Sequence, residues 1–163
     1  MEAGVSHERR LVISRPVWEP LLAELHRRTE QVHESGAFLL GYSADNRRQV
    51  DHVVYYDDLD PAAYSTGVVV LHADSFSLLW DFCRTKGLSV IADVHVHQEG
   101  AWQSEADRLN PMIARSGHFG LIIPWFAKPP VVLETIGLYK YRGNHQWRRL
   151  GGRRIRHSLS IEG

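Results

Sequence analysis

The stretch ADVHVHQEGAWQSEAD, residues 92–107, gathers side chains able to do chemistry. His95 and His97 stand two apart at the end of an apolar run, Leu88 to His95, that reads as an interior strand. Strand side chains alternate, so both imidazoles project from one face while Val94 and Val96 take the other. Ser104 opens a predicted helix reaching to about Arg115, and Asp107 falls in its first turn, from where a carboxylate can reach back to the strand end. Two imidazoles and one carboxylate make a three-ligand set of N and O donors. Catalytic zinc sites commonly use three protein ligands and leave the fourth position to water. Singly, each residue also has a plain explanation: half-exposed strand histidines, a capping box from Ser104 to Asp107, and, upstream, a solvated Glu34 between a helix and a strand.

The elements that must position these groups can be read from spacing. Apolar residues at Val17, Trp18, Leu21, Leu22 and Leu25 predict a helix over Pro16–Glu30, with Ser14 as its cap and Pro16 in its first turn. Strands are predicted at Ala37–Tyr42, Gln49–Tyr56 and Val68–His72, with Asp57–Gly67 as a loop. Phe76, Leu79, Trp80 and Cys83 at i, i+3, i+4 and i+7 predict a helix over Ala73–Lys86, which Gly87 ends. Strands at Phe119–Trp125 and Val132–Tyr141 follow, and Gln146–Leu150 pairs behind Gly143–Asn144. The order of elements implies an α/β layer structure, a central mixed β-sheet covered by helices. One domain is expected over 1–150, and the basic tail 151–163, with Arg153, Arg154 and Arg156, is expected to be loosely ordered.

Composition narrows the classes. The 163 residues suffice for one domain with a real core, and Lys+Arg 19 against Asp+Glu 19 leaves a formal net charge of +0. That balance offers no general attraction for nucleic acid or anionic membrane, and neither is expected as a partner. A single Cys, Cys83, excludes an internal disulfide framework and sits on the apolar face of its helix as a core thiol. MEAGVSHERRL shows no apolar leader and no apolar run is long enough to span a bilayer, so a cytoplasmic location is expected.

Glu34 in HESGAFLLG, then His95 and His97, a short loop, and Ser104 followed by Asp107 stand in a fixed order that resembles the JAMM motif of the JAB/MPN metalloprotease family. Ala37, Leu39 and Gly41 fall on the small, apolar and closing-glycine positions after the glutamate. The likeness runs from about Pro16 to Tyr141 and implies a single JAB/MPN-like (cytidine deaminase-like) domain. Two departures border the motif: Gln98 stands where the family usually has Pro, and the His97-to-Ser104 gap is one residue short.

The resemblance implies one Zn²⁺ per chain held by His95, His97 and Asp107, Glu34 as general base, and Ser104 as donor to a tetrahedral oxyanion. It implies a deubiquitinase-like isopeptidase that cuts after the C-terminal glycine of a ubiquitin-like modifier, in maturation or deconjugation. The run from His95 to Pro124 looks most like JAB peptidases encoded in bacterial ubiquitin-like conjugation operons, beside E1-like and E2-like proteins and tied to antiphage defence. Alternatives are a peptidase that processes a sulfur carrier and a non-catalytic MPN-type binding module. A cupin would need a later Glu and an all-β chain, and an amidohydrolase barrel a longer one. Asp57, Asp58 and Asp60 are candidate contacts for a basic substrate tail, although for the charges alone a solvated acidic turn before Pro61 is the readier explanation. His72, His118 and His145 show no partner in the sequence.

Overall fold

The computed structural model describes residues 9–163; the segment 1–8, read above as part of a leaderless N-terminus, lies outside the described residues. Eight strands form one mixed sheet: β1 Arg10–Ser14, β2 Gly36–Ala44, β3 Arg47–Tyr55, β4 Ser89–Val96, β5 Phe119–Ile123, β6 Gly137–Gly143, β7 Gln146–Arg149 and β8 Leu159–Glu162. Their order is β7-β6-β5-β4-β2-β3-β1-β8. β4 and β5 run parallel, as do β1 with β3 and β1 with β8; the other neighbours are antiparallel. Between β7 and β8 the chain crosses to the opposite sheet edge through a 3-10 segment, Gly152–His157, whose Ile155 is buried in the core.

This overturns the expected α/β layer architecture. The body of the molecule is a curled eight-stranded sheet, a half-barrel, and the chain is mainly β. Helices are few: α1 Arg15–Arg28, α2 Tyr56–Leu59, α3 Ala73–Lys86 and α4 Glu105–Leu109, of which only α1 and α3 exceed two turns. The predicted strand at Val68–His72 is irregular and pairs with no strand among the described residues, and the helix expected to reach Arg115 ends at Leu109, because Asn110 precedes a proline and cannot stay helical. The tail expected to be loose is ordered: β8 pairs with β1, with Leu11 opposite Leu159 and Ile13 opposite Ile161. Two apolar residues, Ile155 and Leu159, anchor it where the arginines had suggested solvent.

The core lies on both faces of the sheet. Ala37 and Leu39 of β2 point to one cluster with α1's Trp18, Leu21 and Leu25, while Phe38 and Leu40 point to another with α3's Leu79 and Cys83. A strand covered on both sides reads as a continuous apolar run, which β2 does. A register shift at Leu40–Gly41 kinks β2, and there a Cβ on Gly41 would lie 1.7 Å from the Gln49 carbonyl oxygen, so only glycine fits. Among the described residues no helix is long and apolar enough to cross a membrane.

Candidate metal centre

Val94 and Val96 are fully buried in the core beneath β4, which turns His95 and His97 to the other face at the strand's C-terminal end. β2 delivers Glu34 to the same place. Gly36 pairs with His95, the Val96 N–H donates to the Ser35 carbonyl at 2.9 Å, and the Glu34 N–H donates to the Gly67 carbonyl at 3.1 Å. The Ser35 hydroxyl donates to the Leu25 carbonyl at 2.7 Å, tying this segment to the end of α1. On the far side of His97, its carbonyl accepts from the Phe126 N–H at 2.8 Å, and Glu99's carbonyl accepts from the Trp125 N–H at 2.9 Å. Trp125, Phe126 and Ala127 hold φ of 51°, 52° and 55°, left-handed conformations that cost non-glycine residues about 1–2 kcal/mol each. The bonds to the histidine loop, and His26 Nδ1 donating to the Phe126 carbonyl at 2.8 Å, hold that strained segment in place.

Asp107 comes from α4. Its side chain accepts from the Ser104 N–H at 2.8 Å, and its own N–H donates to Ser104 Oγ at 3.1 Å, a complete capping box. The Tyr139 hydroxyl donates to the Ala101 carbonyl at 2.9 Å and accepts from the Gln103 N–H at 3.3 Å, fixing the loop before the helix. Trp147 Nε1 donates to the Arg108 carbonyl at 3.1 Å and fixes the helix itself.

Three donor atoms converge as a result. His95 Nε2 and His97 Nε2 are 2.9 Å apart, His95 Nε2 lies 3.3 Å from Asp107 Oδ1, and His97 Nε2 lies 3.2 Å from Asp107 Oδ2. A tetrahedral ion with bonds of ~2.0–2.2 Å spaces its ligands by roughly 3.3–3.6 Å. The His–Asp separations lie at or just below that range and the His–His separation falls short of it, so a small divalent cation would spread the two imidazoles slightly; among the described residues these three are the one cluster of at least three such groups close enough to share an ion. Glu34 Oε1 stands 3.8 Å from His97 Nε2, beyond a direct hydrogen bond and beside the triad rather than in it. Burial works against a charge on His95, but the Asp107 hydrogen bond and the charges of Asp107, Glu34 and Asp93 outweigh it and hold its pKa above the ordinary value. Burial likewise opposes ionisation of Asp107, but hydrogen bonds from His95 and His97 hold its carboxyl far below the usual carboxylate range.

A cleft of ≈ 520 Å³ opens beside the cluster, lined by Glu34, His95, Ser104 and Asp107 and walled by Val69, Leu71, Phe76, Met112, Tyr139 and Trp147. Asp57, Asp58 and Asp60 are placed elsewhere in their own bonds. Arg28 Nη1 donates to Asp57 Oδ1 and Asp58 Oδ1, each at 2.8 Å, and Asp60 accepts from the His72 N–H and ring and from the Ala62 N–H. The segment expected as a loop thus starts as the one-turn α2, pinned to α1.

Several side chains at the site were not singled out from the sequence. Asp93 lines the cleft, and its Oδ2 meets His118 Nε2 at 2.6 Å in a buried pair. One signal was available: Asp93 stands two before His95, so it shares that face. His118 is 25 residues away on the approach to β5, and the pairing needed the β4–β5 register.

No protein-family model matches the chain. A protein of Sinorhizobium fredii (strain NBRC 101917 / NGR234), named "Probable metalloprotease y4jG", is 25% identical over 144 residues, covering 85% of this chain and 86% of its own. The chain is similar to a probable metalloprotease. The solution structure of protein DSY2949 from Desulfitobacterium hafniense superposes with a TM-score of 0.65 over 94% of each chain at 17% identity, a likeness of fold alone.

Proposed function

We propose that this protein is a zinc-dependent peptidase with JAMM-type chemistry, acting after the C-terminal glycine of a ubiquitin-like modifier. The observation that carries the reading is the convergence of His95, His97 and Asp107 on one point with Glu34 alongside, at the edge of a cleft. The relative named as a probable metalloprotease supports a peptidase, and the resemblance of Glu34, HVH and SxxD to the JAMM motif supports the JAB/MPN family. A zinc ion held by the triad would supply Lewis acidity, lowering the pKa of a water toward ~7 and polarising the scissile carbonyl.

The chain's own groups do the rest. The two imidazoles and the Asp107 carboxylate fix the position of the cation, and the capping box fixes Asp107. Glu34, anchored by its backbone at Gly67, takes a proton from the attacking water and returns it to the leaving amine. Ser104 Oγ accepts from the Asp107 N–H, which leaves its own proton free to donate to the developing oxyanion. The finer assignment is a bacterial enzyme of a ubiquitin-like conjugation system with E1-like and E2-like proteins, acting in antiphage defence. It rests on the sequence likeness from His95 to Pro124.

The test is a ubiquitin-like precursor with residues after its glycine, incubated with the zinc-loaded protein and analysed by mass spectrometry. A cut after the glycine, abolished by chelator and by Glu34→Gln with metal retained, is expected. Wild-type cleavage by Glu34→Gln would make Glu34 a bystander, and no cleavage of any such precursor would leave a metal-holding binding module.

A further inference from the structure

We propose that the cleft beside the metal ligands contains a subsite for a basic side chain of the substrate, formed by the Asp93 carboxylate, the Trp147 indole and the open space above Gly120. The meaning of this subsite rests on the peptidase reading; its existence does not.

Asp93 lies two residues before His95 on β4, on the same face and about 6.6 Å along the strand. It is 6% exposed, and it lines the cleft. Oδ2 is taken by His118 Nε2, and among the described residues no group donates to Oδ1. The single imidazole donor serves only one of the two carboxylate oxygens and leaves the other able to accept from a ligand. If Asp93 served only to join β4 and β5, an uncharged acceptor would suffice.

The space in front of Oδ1 is open because β5 places a glycine there. Gly120 is in register with Asp93, and a Cβ built on it would lie 3.6 Å from the Trp147 ring and 3.9 Å from Asp93 Oδ1. These are ordinary contact distances, so a ligand carbon or nitrogen fits where the protein has no atom. Leu71, Phe76 and Met112 line the approach. Apolar walls suit the methylene stem of lysine or arginine, and a carboxylate at the end suits its head. The distance along β4 from the metal ligands to Asp93 is about the reach of one such side chain. A residue flanking the scissile bond can therefore lie over the triad and place its head group on Asp93.

The experiment titrates Nα-acetyl-lysine methylamide and its uncharged isostere Nα-acetyl-norleucine methylamide into ¹³C-labelled protein, metal-free and zinc-loaded, by NMR. The lysine probe should bind about tenfold more tightly and move the Asp93 carboxyl resonance, which the norleucine probe leaves in place. Asp93→Asn keeps an acceptor for His118 and should erase the preference; Gly120→Val fills the space and should weaken both probes. Equal binding of the two probes, an unmoved Asp93 resonance, or a preference that survives Asp93→Asn would overturn the proposal. Should Asp93→Asn fail to fold, the wild-type resonance decides alone. Because binding is read without turnover, loss of the peptidase reading leaves this result standing. Conversely, a peptidase with equal kcat/KM for lysine and norleucine substrates would sink the subsite and not the activity.

Discussion

Two imidazole nitrogens 2.9 Å apart cannot both face each other as acceptors, so one of them carries a hydrogen, and His95 Nε2 has the Asp107 carboxylate 3.3 Å away to receive it. Burial works against a charge on His95, but the Asp107 hydrogen bond and the nearby carboxylates outweigh it and hold its pKa above the ordinary value, which sets the sign of the pH dependence expected for metal binding. A cation needs the neutral imidazole, so binding expels the proton wherever His95 carries one. Apparent affinity should therefore rise with pH, by about tenfold per unit for one proton, and keep rising above pH ~6.5, levelling only past the raised His95 value. Competition against a chromophoric chelator between pH 6 and 8 measures this; a flat profile would mean that His95 is not a ligand. His95→Ala and Asp107→Ala should each lose most of about one zinc per chain by elemental analysis. The metal-free fold has the opposite dependence. The His95–Asp107 pair stabilises it fully below the unfolded histidine pKa, and the histidine's share fades as pH rises through the raised folded value. Asp107's share is present above the unfolded carboxylate pKa and fades as acid protonates it.

The elements explain which parts of the site were legible. Helix α3 was readable to the residue, because its apolar spacing is local and Gly87 supplies the left-handed cap at φ 66°. The HxH pair was readable because alternation along β4 is local too. Strand β1 was not, since the five residues RLVIS acquire meaning only between β3 and β8. Val68–His72 looked like a strand from its valines, yet Val69 and Leu71 pack inward with no neighbouring strand to pair with. Helix α4 was overextended by counting past Pro111, but its start was right, and that start brings Asp107 to His95 and His97. Ser104 both caps α4 and, in the proposed reaction, donates to the oxyanion, and two substitutions separate these roles. Ser104→Ala should cost about 1 kcal/mol of stability and ~10²–10³ in kcat. Ser104→Gly should cost only a few tenths of a kcal/mol and the same loss in kcat, because glycine caps tolerably and donates nothing. Thermal unfolding alongside steady-state kinetics reads both, and a glycine variant with wild-type kcat would reduce Ser104 to a cap.

At the scale of the molecule, the sheet is held at one edge by the tail that composition alone had marked as loose. β8 covers the outer edge of β1 in parallel register, and β1 in turn covers β3, which carries β2 and the Glu34 segment. Ile155 is 0% and Leu159 1% exposed, and each contributes about 1.5–3 kcal/mol by burial. Ordering the tail's backbone offsets part of that gain, so the net effect is smaller than the sum. Deleting residues 152–163 also bares the β1 edge, a template for intermolecular pairing. The Arg47–Glu162 ion pair lost with it is exposed and contributes little. The truncated chain should melt lower, by about 2–4 °C for each kcal/mol of net loss, and aggregate more readily. The candidate metal ligands sit at the end of β4 and on α4, away from this edge, so whatever fraction folds should bind zinc as the full chain does. Differential scanning calorimetry and metal analysis on the same sample separate the two effects. An unchanged melting temperature would return the tail to the ornament that its arginines suggested, while loss of zinc from folded, truncated protein would show that the far edge of the sheet sets the geometry of the site.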